Sequence, residues 1–172
     1  MSESATSTLV SAGSKHGSTA EIAERIGRVL LEQGVQTEVI APEEVTDLSP
    51  YRGVVLGSAV YAGHWVPSAR DLARRVALMS PKPDVWLFSS GPIGDPPKPE
   101  EDPVDVQAIQ ETTSAREHRV FSGKIDKSEL SFPEKAVLMA VRAPEGDFRE
   151  WDEIEAWAGD IARTLKSEVI YT

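Results

Sequence analysis

Apolar positions along the chain switch repeatedly between two periods. Thr8 to Ala12 forms a short apolar run that predicts a strand. From Thr19 to Leu31, Ile22, Ala23, Ile26, Val29 and Leu30 recur at three- and four-residue spacing, which predicts an amphipathic helix. Glu21 with Arg25 and Glu24 with Arg28 are favourable i,i+4 pairs on its outer face. Gly34 ends the helix, and Val35, Thr37 and Val39 then alternate as a half-buried strand. Val54 to Leu56 reads as a central strand running into a loop, and Pro67 opens a helix carrying Leu72, Ala73, Val76 and Met79. Val85 to Phe88 is another continuous apolar strand, and His118 to Ser122 a weaker one. The last helix is predicted to start near Asp147, capped by that side chain with Glu150. Its buried stripe is Trp151, Ile154, Trp157, Ala158, Ile161 and Leu165.

Strand and helix in alternation predict an α/β fold: a doubly wound parallel sheet with helices on both faces. The span from Gly91 to Asp105 holds five of the twelve prolines, so it is a long surface loop rather than regular structure. A long loop at a strand's carboxyl end is where such sheets bind ligands. The expected domain runs over residues 6–166, with residues 1–5 and 167–172 as flexible tails.

Charge narrows the function. With 28 acidic against 18 basic side chains and a net charge of −10, a nucleic-acid partner is excluded and neutral or basic partners are favoured. The absence of cysteine removes disulfides, thiolate metal sites and a cysteine nucleophile. His16, His64 and His118 are too scattered to suggest a metal site. No apolar run is long enough for a transmembrane segment, and the opening MSESATST lacks a signal-peptide core, so the expected location is cytoplasmic.

The candidate chemistry begins in the stretch GSKHGST, Gly13 to Thr19, between the first strand and the first helix. A helix start offers free N–H groups and the positive end of the helix dipole. Gly13 and Gly17 permit close backbone approach, while Ser14, Ser18 and Thr19 add hydroxyls, which together suit a phosphate. Three residues separate the two glycines and Ser18 follows, so the spacing is neither that of a P-loop nor that of the dinucleotide G-x-G-x-x-G. A flavin mononucleotide (FMN) phosphate loop fits; a polar loop with an ordinary helix cap is the competing reading. Lys15 and His16 either add charge to the phosphate or are simply solvated. A receiver domain of the same topology needs acidic residues where this chain has Ser11-Ala12-Gly13 and Gly57-Ser58.

Three stretches in order resemble the flavodoxin family: Gly13, Ser14, Gly17 and Thr19 in the first loop, GSAVYAGHW from Gly57 to Trp65, and SSGPIGD from Ser89 to Asp95. The ending GDFREWDEIEAWAGDIARTL is similar to the family's last helix. The resemblance covers nearly the whole chain beyond the first five residues. It implies a flavodoxin-like sheet of five parallel strands in the order 2-1-3-4-5, with an extra segment after strand 5, and FMN as cofactor. Within the family, GSAVYAGHW and the stretch EHRVFSGKID…SFPEKAVLMAVRAPEGD look like the menaquinone-dependent protoporphyrinogen dehydrogenase branch.

The resemblance implies a set of cofactor contacts. Ser14, Lys15, His16, Gly17, Ser18 and Thr19 would hold the phosphate. Ala59, Val60, Tyr61, Ala62 and Gly63 would flank the ring, with Ala62 and Gly63 letting the backbone shift as the flavin N5 gains a proton. Ser89, Ser90, Gly91 and Gly94 would face its pyrimidine edge. Tyr61 and Trp65 either cover the ring or pack in the core, and Trp86 and Trp157 belong to the core. Pro92 and Ile93 stand where many members place a tyrosine. The implied partners are a redox partner protein or a small hydrophobic substrate such as a porphyrinogen or quinone; a flavin-free interaction module is the alternative. The extra segment, with Pro133 opening a helix and Phe132, Ala136, Met139 and Ala140 on one side, either packs on the domain or walls a substrate pocket. From Ser131 to Ala143 it holds Lys135 and Arg142 against Glu134, net +1, too little for docking on anionic lipid.

Overall fold

The structure, a computed structural model, describes residues 7–15, 17–61, 63–91, 105–125, 146–147 and 149–170. Its central sheet contains β1 (Ser7–Gly13), β2 (Thr37–Val39), β3 (Tyr51–Tyr61), β4 (His64–Trp65), β5 (Asp84–Ser90) and β6 (Glu117–Phe121). The helices are α1 (Ser18–Glu32), α2 (Pro67–Ala77), α3 (Val106–Thr113) and α4 (Trp151–Ile170), and Pro42–Glu44 form one 3-10 turn. A separate two-stranded ladder pairs β7 (Lys124–Ile125) with β8 (Gly146–Asp147).

The long strands run β2-β1-β3-β5-β6, all parallel, which is the expected order of five parallel strands; β4 folds back on the end of β3 as an antiparallel hairpin. Alternation along each strand sends neighbouring residues to opposite faces. Val10, Val55, Trp86 and Phe88 therefore meet α1 and α4, while Leu9, Val54, Leu56, Val85 and Leu87 meet α2 and α3. On the first face Phe88, Phe121 and Trp157 touch edge to face or tilted, with centroids 5.5–6.1 Å apart, contacts worth roughly 0.5–1.5 kcal/mol each beyond their burial. The stripe foreseen for α4 is in place: Ile154, Trp157, Ala158 and Ile161 are buried.

Three local features differ from the sequence reading. The last helix starts at Trp151, not near Asp147, because Asp147 is paired in β8 and its carboxylate accepts hydrogen bonds from the backbone and side chain of Arg149. Arg25 does not serve Glu21; it bonds Glu155 of α4, and Glu21 accepts from Arg149 at 2.6 Å. The helix α3 was not foreseen. No described helix is long and apolar enough to cross a membrane. The helix expected to open at Pro133 within Ser122–Gly146 lies outside the described residues, as does most of the proline-rich loop.

Candidate functional site

The chain leaves β1 to its β2 side and β3 to its β5 side, so the sheet has its topological switch point between β1 and β3. Register brings the carboxyl ends of the central strands level: Gly13 lies opposite Ser58, Ser58 opposite Ser89, and Ala59 opposite Ser90. Three loops thus leave one edge side by side, after Gly13, after Tyr61 and after Ser90.

The first loop is shaped by two glycines. A Cβ on Gly13 would stand 2.2 Å from Val66 Cγ2 and 2.9 Å from Ala69 Cβ, so only glycine lets β1 and the start of α2 approach this closely. Gly17 is the N-cap of α1 at φ 92, a left-handed conformation. Its N–H donates to Ser14 Oγ at 3.0 Å, and its carbonyl accepts the first helical bond from Glu21 N at 3.1 Å. The N–H groups of Ser18, Thr19 and Ala20 precede that first bond and have no helical acceptor. Lys15 is exposed, Ser18 partly exposed, and Thr19 buried. His16 lies outside the described residues.

In the second loop Val60 pairs with Trp65 and Tyr61 with His64, with Gly63 at φ 81 between the paired ends. Ala59 is buried and Val60 packs against the α2-side core. The backbone of Tyr61 is described, its side chain and Ala62 are not. Trp65 is 1 % exposed, so it cannot cover a ligand ring; its Nε1–H donates to Ser89 Oγ at 2.8 Å and its backbone N–H to Asp105 Oδ2 at 3.0 Å. Ser58 Oγ accepts from Val66 N at 2.9 Å and bonds the Ala59 carbonyl at 2.7 Å, which ties the hairpin to the start of α2.

In the third loop Ser89 and Ser90 are buried, and Gly91, at φ 78, donates its N–H to the Phe121 carbonyl at 3.0 Å. Ser89 Oγ also lies 2.8 Å from His118 Nε2, so this hydroxyl is held between Trp65 and His118 and what it presents at the edge is backbone. Gly94, Pro92 and Ile93 lie outside the described residues. The root of the extra segment stands beside this loop: a Cβ on Gly123 would be 3.3 Å from Gly91 Cα.

A family model described as flavodoxin domain matches residues 9–152, most of the chain. The chain belongs to the flavodoxin domain family. Among solved structures it is similar to the rubredoxin oxygen:oxidoreductase of Desulfovibrio gigas (TM-score 0.64, 13% identity), covering 95% of this chain but only 37% of that one. It is similar to a flavodoxin from the domain Archaea (TM-score 0.61, 17% identity) over 93% of this chain and 99% of that one. A flavodoxin of Streptococcus pneumoniae TIGR4 follows (TM-score 0.61, 15% identity), covering 91% and 98%. These identities establish a shared fold, and the chain spans little more than a third of the oxidoreductase. No curated protein matches significantly.

Membership implies FMN as the cofactor of this flavodoxin domain, and the donor set fits it. A phosphate monoester needs several N–H and O–H groups converging on open space. Beside the N–H groups of α1, no described residue lies within 4 Å of where a Cβ would stand on Gly17, and the same holds at Gly91. No group of acids or histidines able to hold a metal occurs among the described residues.

Sequence reasoning missed three residues here. Asp105, which the sequence left at the end of a loop, holds the hairpin through Trp65 and comes within 3.3 Å of His64 Nδ1. His118 reads as a strand residue, yet it backs Ser89. Arg149 is 6 % exposed and bonds Ser18 O at 3.2 Å, Glu21 at 2.6 Å and Asp147 at 2.7 Å, fixing the first turn of α1. Its local sequence shows only the nearby Asp147, because Ser18 and Glu21 come from a distant element.

Proposed function

We propose that this flavodoxin domain is an FMN-dependent redox protein, with the cofactor phosphate on Ser14–Thr19 and the ring between the β3–β4 hairpin and the loop after β5. The observation that carries this is the convergence of three loops at the switch point, with Gly17 opening α1 away from every other described residue. Bound FMN supplies one- and two-electron transfer. The chain supplies binding and orientation: the first-turn N–H groups and Ser14 and Ser18 hydroxyls for the phosphate, and the Gly91 backbone for the ring edge. Gly63, at positive φ, gives the hairpin turn freedom to change which backbone group it presents. Arg149 holds the α1 end of this cradle still.

Within that reading the domain acts as an oxidoreductase of the protoporphyrinogen or quinone type, or hands electrons to a partner protein. The resemblance of Gly57–Trp65 to the protoporphyrinogen branch favours the former. So does the root of the extra segment beside Gly91, which places that segment's two ends next to the site.

The test is an FMN titration of the parent and of a Ser14→Ala/Ser18→Ala variant, followed by flavin fluorescence. Losing hydrogen bonds to a charged group, at roughly 1.5–3 kcal/mol each, lowers affinity at least tenfold. Equal affinities would remove these hydroxyls from the site, and a parent without FMN leaves a flavin-free interaction module. Replacing residues 126–145, rather than the paired Lys124–Ile125, by a Gly/Ser linker then separates the two redox readings. Slowed protoporphyrinogen or quinone turnover with FMN retained makes it an enzyme; a parent inactive on both but reversibly reduced makes it a carrier.

A further inference from the structure

Arg149 stands between the root of the extra segment and the start of α1. It follows β8, and its side chain is 6 % exposed. Its Nε and Nη2 donate to Asp147, the β8 residue paired with Lys124, at 2.9 and 2.7 Å. Its Nη1 donates to two groups in the first turn of α1, Glu21 Oε1 at 2.6 Å and the Ser18 carbonyl at 3.2 Å. The guanidinium carbon lies 4.7 Å from the ring centroid of Trp151, which covers one face of it.

The contact with Ser18 reaches further than its own length. The Ser18 carbonyl and the Thr19 N–H belong to one planar amide, and in a helix they point in opposite directions along the axis. The carbonyl meets Arg149, while the N–H faces the helix start, where no helical acceptor exists. A cationic donor that draws electron density onto the carbonyl oxygen makes the N–H of the same amide a stronger donor. It also fixes the plane of that amide, and with it the line of the N–H. Thr19 is 1 % exposed, so this N–H meets a group seated in the loop rather than bulk water.

Simple charge attraction does not account for the arrangement. Arg149, Glu21 and Asp147 set one cation against two carboxylates, so the field of the three together does not favour an anion. What Arg149 does for a phosphate therefore runs through the Ser18–Thr19 amide.

We propose that Arg149 is a positioning residue for the cofactor phosphate: through the Ser18 carbonyl it aims and strengthens the Thr19 N–H. It thereby helps to set the preference of the domain for FMN over riboflavin, the same ring without the phosphate. The inference rests on the FMN-dependent reading above. It places part of the phosphate affinity outside the Ser14–Thr19 loop, on the stretch of chain where the extra segment returns.

The experiment titrates the full chain, stripped of flavin and in phosphate-free buffer, with FMN and with riboflavin, following flavin fluorescence. Riboflavin affinity reports the ring site and the fold, and the ratio of the two Kd values reports the phosphate. Arg149→Met should weaken FMN about fivefold and leave riboflavin unchanged, the range of a charged group acting at a helix start. The loss should persist in a Glu21→Gln background, where no unpaired Glu21 carboxylate is left to repel the phosphate. Arg149→Lys keeps the cation but not the fork that spans Ser18, Glu21 and Asp147 together. It should show a smaller shift of the same sign, and it carries the test if Arg149→Met does not fold. Equal losses for both flavins make the arginine a brace of the fold only and overturn the inference. So does an unchanged ratio in a parent that binds FMN. A loss that disappears with Glu21→Gln overturns the route through the amide, because the arginine then only masks an acid. A parent that binds neither flavin overturns the FMN-dependent reading, and the inference falls with it.

Discussion

Among the helices that begin at the carboxyl edge of the sheet, α1 after Gly17 and α2 after Val66 have no side-chain cap from their N-cap residues. At α1 the first turn carries Glu21, which is bonded to the buried Arg149, and the same arginine bonds the Ser18 carbonyl and Asp147. Arg149 and Arg25 also stand over Trp151, 4.7 and 4.4 Å from its ring centroid, so the start of α4 is bound into the same cluster. At α2 the first turn holds no acid, and its Arg70 leaves a buried N–H unmatched. One helix start is braced from behind; the other carries a cation whose buried Nε has no acceptor among the described residues.

The largest expected effect comes from breaking the separation between the two. Gly13→Val would put a side chain into Val66 and Ala69, forcing α2 away from β1. We expect a loss of about 3 kcal/mol in denaturant unfolding, the upper range for overpacking, with weaker FMN binding. An unchanged midpoint would mean that α2 shifts without cost.

Arg149→Met, which removes the brace of α1, comes next. Its hydrogen bonds to charged partners suggest a loss of about 2 kcal/mol, limited because Glu21 and Asp147 are themselves substantially exposed. The effect is pH-dependent. The hydrogen bond from Arg149 holds the Asp147 carboxyl below its ordinary value of 3.8, so the folded state binds that proton less readily than the unfolded one. This stabilisation is complete above about 3.8 and drains away as pH falls through that value toward the lower folded one. The stability gap between parent and Arg149→Met should therefore narrow below pH ~4. A gap independent of pH across that window would remove Asp147 from the brace.

The smallest effect has the opposite sign. In phosphate-free buffer, Arg70→Met should raise the stability of the apoprotein by roughly 0.3–1 kcal/mol, because it takes a cation from a helix start. Glu21→Gln should lower it by a similar amount. Thermal unfolding of both variants measures the contrast directly, and a destabilised Arg70→Met would show that the arginine is held by contacts with its own chain.

Much of this was legible along the chain. The α1 helix announces itself through Ile22, Ala23, Ile26 and Leu30 at helical spacing, and all four are buried. The order of the loops was readable because alternating strands and helices leave few topologies. The α3 helix was not, since eight residues with Val106 and Ile109 as the only buried apolar side chains hold too short a stripe to show a period. Trp65 reads equally as a ring cover or a core residue until the hairpin turns it inward onto Ser89. Arg70 looks like any charge on the outer face of an amphipathic helix. That its Nε is buried, with no acceptor among the described residues, shows only in the structure.

The ladder of β7 and β8 has a consequence for how the domain can vary. Lys124 lies opposite Asp147 and Ile125 opposite Gly146, so residues 126–145 leave and return at adjacent points. The ends are already brought together by backbone pairing and, through Arg149, fastened to α1. Once two strand ends are paired, doubling the length of chain between them adds only about 0.6 kcal/mol of closure entropy. Insertions and deletions between these two short strands can then accumulate without disturbing the sheet, which makes this the point where the domain can acquire a new partner while keeping its old cofactor site.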